Sequence, residues 1–333
     1  MTEGTTSGPV VAVLLPCRNE EEAIGDVVAA FRAALPAAEV YVYDNGSTDR
    51  TVERALAEGA RVAYEPRRGK GNVVCRMLAD VDADVYVIAD GDGTYDASAA
   101  PAMVHLLVRD SFDMVVGCRS AVDGDARNAY PPGHALGNWL FNRLFRALFG
   151  VTFKDVFSGY RVLSRRFVKS FPVRFPGFEI ETELAAHAVD IGLPYAEVPT
   201  TYRPRREGSE RKLRAVRDGL DIMVAAMLLF KEMRPARFFG LIALFLTAVA
   251  LALGIPVVNE FIETGFVPRL PTAVLAASIQ IIAFISLTAG LVLDSVSRSR
   301  REARRLVYLS MPALRDPARA YPREAVDGPP LHG

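Results

Sequence analysis

Cysteine is scarce in this chain: three of 333 residues, Cys17, Cys75 and Cys118, stand far apart. Their spacing fits no thiolate metal site and no redox pair, and their odd number excludes a complete disulfide framework. Cys17 and Cys118 close predicted strands, where a small buried thiol is the ordinary occupant. A reducing, cytoplasmic compartment fits that usage. Net charge is missing too, with 39 Lys plus Arg against 39 Asp plus Glu, so no overall field points to nucleic acid as a partner. Met1 to Pro9 is polar, without a basic region followed by an apolar stretch. It reads as a disordered N-terminus over 1–9 rather than a signal peptide, and leaves the following domain in the cytoplasm. Neither G-x-x-x-x-G-K-[ST] nor G-x-G-x-x-G occurs. The run Arg67-Arg68-Gly69-Lys70-Gly71 is instead a basic turn opening a helix, suited to an anion or to a plain surface turn. There is no internal repeat.

Hydrophobic residues are abundant, at 50% of the chain, and they divide it. From Val10 to Cys118 short apolar runs alternate with helical patterns. Val10–Leu15, Val40–Tyr43, Arg61–Tyr64, Val85–Ala89 and Met114–Gly117 read as buried strands. Glu20–Leu35, Thr48–Glu58, Gly71–Ala79 and Ser98–Arg109 read as helices between them. That alternation predicts an α/β domain with a mostly parallel sheet covered on both faces. In such sheets ligands bind at the carboxyl ends of strands, where Arg18-Asn19-Glu20, Asp44-Asn45-Gly46-Ser47 and Asp90-Gly91-Asp92 fall. Further on, Glu179–Ile191 reads as a helix and Glu197–Tyr202 as a last strand.

The C-terminal third differs. Leu213–Met233 is amphipathic and reads as a helix lying in a membrane interface. Phe238–Val258 and Thr272–Leu293 each supply about the 20 apolar residues that cross a bilayer. Gln280, Ser278, Ser286 and Thr288 in the second span are polar groups that a helix pair can satisfy internally. Arginines flank the outer ends, at Arg234, Arg237 and Arg298–Arg305, so the positive-inside rule places both termini in the cytoplasm. The expected organisation is a catalytic domain over 10–210, an interface helix region over 211–236, a two-helix hairpin over 237–296 and a basic, disordered tail over 297–333.

Asp90 and Asp92, one glycine apart after an apolar strand, can reach one Mg²⁺ or Mn²⁺ and leave positions for diphosphate oxygens. Asp44, ending the second strand, can hydrogen-bond a ribose or a base edge, with Ser47 or Thr48 free to cap the helix that follows.

Seven ordered stretches carry a resemblance: Leu15–Glu21, Tyr43–Asp49, Gly69–Gly71, Ala89–Tyr95, Asp155–Arg161, Gly177–Glu183, and Glu197–Pro199 with Tyr202, Arg203 and Gly208–Lys212. The chain resembles the family 2 glycosyltransferases with the GT-A fold, in particular the polyprenyl- or dolichyl-phosphate sugar synthases. The resemblance implies a GT-A catalytic domain that passes a hexose from a nucleotide sugar to a polyprenyl phosphate at the bilayer. It implies that Pro16, Arg18, Glu20 and Asp44 hold the nucleoside, with Gly69, Lys70 and Gly91 beside them, and that Asp90 and Asp92 hold the metal. It gives Arg119, Arg203, Arg205, Arg211 and Lys212 to phosphates, and Asp155, Ser158, Gly159 and Arg161 to the acceptor side. Asp92, Asp155 and Arg161 form the expected catalytic group, and homo-oligomers are a further expectation. Two departures bear on donor identity: Thr94 stands where many relatives carry Gln, and Pro131–His134 lacks an expected arginine.

Three other readings compete. A processive polysaccharide synthase of the same fold would carry Q-x-x-R-W, whereas the single tryptophan, Trp139, follows Gly137-Asn138. A silent membrane adaptor on a nucleotide-binding domain would have lost carboxylates that are present here. A sugar nucleotidyltransferase would want a glycine-rich basic loop where Pro16-Cys17-Arg18-Asn19-Glu20 stands.

Overall fold

The computed structural model describes residues 8–121, 143, 145–150, 153–172, 177, 179–203 and 215–314, with only the backbone of 120, 121 and 215–222. Trp139, Pro131–His134, Phe178, Arg205, Arg211 and Lys212 lie outside the described residues.

In chain order the elements are β1 Val11–Cys17, α1 Ile24–Ala34, β2 Glu39–Asp44, α2 Thr51–Ala57, β3 Arg61–Tyr64, α3 Lys70–Asp80, β4 Val85–Ile88, α4 Ala100–Arg109, β5 Met114–Ala121, β6 Arg161–Ser164, α5 Arg165–Ser170, α6 Ile180–Ile191, β7 Tyr195–Tyr202, α7 Ala215–Met233, α8 Pro235–Thr264 and α9 Leu270–Ser310. The strands form one seven-stranded sheet in the order β3-β2-β1-β4-β6-β5-β7. β1 lies parallel to β2 and β4, and β5 parallel to β7. β6 runs antiparallel to both β4 and β5. The predicted mostly parallel α/β sheet is therefore present, with β6 as its exception. β6 and α5 had no reading in the sequence, because a four-residue strand opening on arginine has no periodicity of its own.

Burial follows the pattern of the residues. All four residues of β4 are buried, as a central strand covered on both faces requires. In α1 the spacing of Ile24, Val27, Val28 and Phe31 puts all four on one buried face. Each such side chain contributes about 1.5–3 kcal/mol on leaving water. Tyr160, just ahead of β6, joins that core edge-on to Phe31, with ring centroids 6.2 Å apart.

Two compact units result, Met1–Ile222 with Arg305–Gly333, and Met223–Arg304. In the second, α8 and α9 are two helices long and apolar enough to cross a membrane, and only 17% of either apolar window is buried. The core helices of a soluble protein are mostly buried, unlike these two. Apart from Pro235 at the start of α8, their buried residues recur every seventh position, Ala243, Ala250 and Val257 on α8 and Ala276, Ala283 and Gly290 on α9. Small residues at that period let two helix backbones approach. A Cβ on Gly290 would stand 2.8 Å from the Phe239 Cβ. Gln280 donates to Thr247 across the pair at 3.3 Å, whereas the Ser278 and Thr288 hydroxyls return to carbonyls of their own helix.

The tail is ordered further than expected. α9 continues through Ser310, so the arginines from 298 to 305 lie on a helix, not in a disordered segment. Within the first unit, Tyr308 in the last turn of α9 donates to the buried Asp113 carboxylate at 2.9 Å, and just past the helix the Met311 carbonyl accepts from Arg166 at 3.0 Å.

Candidate active site

The loops at the carboxyl ends of β1 and β2 are laced together by side chains. Ser47 accepts from the Asn19 N–H at 2.9 Å, and Asn19 accepts from the Thr48 N–H at 2.9 Å. Thr51 accepts from the Glu20 N–H at 2.8 Å. Ser47 and Thr48 are thus tied to the β1 loop and do not cap α2, whose N-cap residue is Arg50, without a side-chain cap bond; Asp49, just ahead of it, accepts from the Thr51 N–H at 3.1 Å. Asp44 is buried and turns its own loop, accepting from Gly46 N–H at 2.9 Å and Ser47 N–H at 3.1 Å. A carboxylate so held keeps lone pairs for a further donor such as a ribose hydroxyl. Beside them Pro16 is half-buried, Glu20 buried and Arg18 exposed.

At the end of β4 the chain turns tightly against β1. A Cβ on Gly91 would stand 2.3 Å from the Cys17 sulfur, so only glycine fits between Asp90 and Asp92. Asp92 is buried, and its Oδ1 accepts from the Thr94 hydroxyl at 2.6 Å and the Thr94 N–H at 3.1 Å. Thr94 therefore fixes one carboxylate of the pair. Asp90 meets Lys70, whose Nζ lies 2.5 Å from Asp90 Oδ1 and 2.5 Å from Glu181 Oε1. In the Arg67–Gly71 turn the Gly69 N–H donates to the Asn45 side chain at 2.8 Å, and the Lys70 side chain turns to these two carboxylates. Burial works against the Lys70 ammonium, but Asp90 and Glu181 outweigh it and raise its pKa. Gly159 closes the other side, where a Cβ would lie 3.0 Å from Asp90 Oδ2 and 3.1 Å from Lys70 Nζ. Its N–H donates to the Tyr95 hydroxyl at 2.8 Å.

The third part is an arginine clamp. Asp155 binds Arg119 through both oxygens, at 2.7 and 2.6 Å, and also accepts the Arg119 N–H at 3.1 Å. Glu197 on β7 holds the loop before it, accepting from the Lys154 and Asp155 N–H groups at 2.8 and 3.2 Å. The Cys118 thiol is buried and lies 3.4 Å from Glu197, which together push its pKa up to about 12. It is structural, as expected. Ser158, fully buried, donates to the Gly117 carbonyl at 2.5 Å.

One expected site residue stands elsewhere. Arg161 is 1% exposed and donates to the carbonyls of Ser158 and Val156 at 3.0 and 2.6 Å. It braces the 155–161 loop from inside the sheet, so it belongs to the scaffold and not to the catalytic group. Burial depresses its pKa, with Glu181 and Asp155 acting in the other sense. Arg203 is exposed, 3.8 Å from Asp96. Glu181, Tyr95 and Glu197 had no role in the sequence reading. Glu181 and Glu197 lay in the quoted stretches, but nothing local tells which glutamate faces the cleft.

Among the described residues no group of three or more His, Cys, Asp or Glu could enclose a metal. Asp90 and Asp92 are a hard-oxygen pair, one pinned by Thr94 and the other 26% exposed. That donor set fits Mg²⁺ or Mn²⁺ that takes its remaining ligands from a diphosphate.

Residues 12–171 match the model of glycosyl transferase family 2. Glycosyltransferase AglJ of Haloferax volcanii is 37% identical over 254 residues, 76% of this chain and 82% of that protein. The dolichyl-phosphate hexose transferase of the same organism is 34% identical over 206 residues, 62% and 87% of the two chains. Among solved structures, glucosyl-3-phosphoglycerate synthase of Mycobacterium tuberculosis, in complex with Mn²⁺, UDP and glucosyl-3-phosphoglycerate, superposes with a TM-score of 0.55. It is 27% identical and the match covers 67% of this chain and 80% of that one. The sheet order, the paired carboxylates at the end of β4 and these matches define a GT-A glycosyltransferase. The chain belongs to glycosyl transferase family 2.

Proposed function

We propose that this glycosyltransferase moves a hexose, with inversion, from a nucleoside diphosphate sugar, UDP-linked in preference to GDP-mannose, onto a polyprenyl phosphate. The product would be a lipid-linked sugar donor for cell-envelope glycan or glycoprotein assembly. The observation that carries the acceptor is the pair of apolar helices, α8 and α9, on the same chain as the Asp90–Asp92 site. A soluble acceptor needs no such apparatus. The relative named a dolichyl-phosphate hexose transferase supports the same reading, and the Mn²⁺ and UDP of the solved neighbour support a divalent cation and a uridine donor.

A lipid monophosphate is largely ionised at pH 7, its second pKa being about 6. It attacks the anomeric carbon without a strong general base. The protein's work is to position two anions and stabilise the leaving diphosphate. Asp44 and Glu20 hold the nucleoside. Asp90 and Asp92 would hold a divalent cation, which would supply charge neutralisation on the diphosphate. Asp155 orients Arg119 towards phosphate oxygens, a task suited to a planar guanidinium. Arg203, Arg205, Arg211 and Lys212 receive the lipid phosphate at the bilayer surface.

Purified full-length enzyme, offered radiolabelled nucleotide sugars and undecaprenyl phosphate, is expected to form an acid-labile β-linked lipid-phosphate sugar. Arg211→Ala with Lys212→Ala weakens transfer more than Thr264→Ala. Equal glycosylation of a soluble sugar or protein without lipid phosphate would refute the reading.

Membrane orientation follows from the flanking arginines, with the catalytic domain and both termini cytoplasmic and the 259–269 connection outside. A cysteine introduced at Glu263 should react with an impermeant reagent added outside, and one at Ala303 should not. The reverse pattern would put the site on the side without nucleotide sugars.

A further inference from the structure

We infer that Lys70 is an internal counter-ion that competes with the metal for Asp90 and is drawn aside by Glu181. The inference rests on the reading of Asp90 and Asp92 as metal ligands. The Lys70 side chain is 12% exposed and Glu181 8%, and the ammonium lies 2.5 Å from each of its two carboxylates. Without Lys70, Asp90 and Glu181 would lose the cation they share, at a Coulombic cost that burial enlarges. The ammonium removes that cost before the donor arrives.

The same contact sets a condition on metal binding. A dication at Asp90 and Lys70 at Asp90 Oδ1 repel one another, so the ammonium must yield. Gly159 blocks retreat on its own side, since even a Cβ there would press on Asp90 Oδ2 and Lys70 Nζ. Glu181, on the almost wholly buried α6, is the second carboxylate that Lys70 already meets, at 2.5 Å. Lys70 then keeps one ion pair while Asp90 is given over to the metal. A nucleoside diphosphate, bringing negative charge, would offset the repulsion, so that metal and donor bind cooperatively and the empty site holds metal weakly.

The test is Mn²⁺ binding by the full chain in detergent, read from the electron paramagnetic resonance of free Mn²⁺, with and without UDP. Lys70→Met is expected to bind Mn²⁺ on the order of tenfold tighter than wild type without UDP, since contacting charges couple. The advantage should shrink when UDP is present. Glu181→Gln is expected to bind Mn²⁺ several-fold more weakly, because the ammonium then has only Asp90. The double variant Lys70→Met with Glu181→Gln removes a buried cation together with one of its anions. It should show the same tightening as Lys70→Met and serves if the single variant folds poorly. If wild type binds Mn²⁺ and neither lysine variant binds it tighter, the counter-ion role is overturned while the metal site stands. If Mn²⁺ with UDP binds wild type no better than Asp92→Asn, the metal site itself is wrong and this inference falls with it.

Discussion

Asp92→Asn is expected to abolish sugar transfer and leave the folded domain in place. The asparagine Oδ1 can still accept from the Thr94 hydroxyl and N–H, which now lie 2.6 and 3.1 Å from Asp92 Oδ1. Loss of stability should not exceed about 1 kcal/mol, the scale of one intramolecular hydrogen bond. What disappears is one of two carboxylates able to hold a dication. Charge stabilisation by such an ion is worth several kcal/mol in the transition state, and about 4 kcal/mol corresponds to a thousandfold in rate. A transfer assay with labelled nucleotide sugar and a thermal melt by circular dichroism check the two halves. Full activity of the variant in EDTA would remove the metal from the mechanism.

The second large effect belongs to Asp155. Its two oxygens bind Arg119, and the side chains are only 5% and 16% exposed. Removing one partner of a buried pair leaves the other charge desolvated, at a cost of about 3–5 kcal/mol. Asp155→Ala should therefore lower stability by about 3 kcal/mol and transfer by about a hundredfold, as expected when a positioned charge-bearing donor is lost. Arg119→Ala combined with Asp155→Ala should regain much of the stability and none of the activity. Urea denaturation of the full chain and the same transfer assay measure both. If instead Asp155→Ala abolishes transfer with stability unchanged, Asp155 acts on substrate directly and not through Arg119.

The architecture was largely legible because its signals are local. β1 to β5, α1 to α4 and the two long apolar helices follow from runs and periods within a few residues of one another. Arg61–Tyr64, for example, has the same bounds in the sequence pattern and in the sheet, although as an edge strand it is partly exposed and not buried as the pattern predicts. The candidate carboxylates were legible for a related reason: in a parallel sheet the residue after an apolar strand must emerge at the ligand-binding edge. Hence Asp44, Asp90 and Asp92 all fall at strand ends of the described cleft.

The sequence by itself determined the alternating α/β domain, the strand-end acids and the two spans. Tertiary structure decided which charges meet. Lys70 and Glu181 are 111 residues apart, and Arg119 and Asp155 are 36 apart. No short-range pattern encodes either contact. Arg161, quoted in a motif beside Asp155, went to the interior because β6 enters the sheet antiparallel between β4 and β5, carrying its first residue under the loop. Strand formation is a property of neighbouring residues. The partner of a buried charge depends on which distant element the packed sheet brings within a few ångströms, where low dielectric makes an unpaired ion too costly to leave.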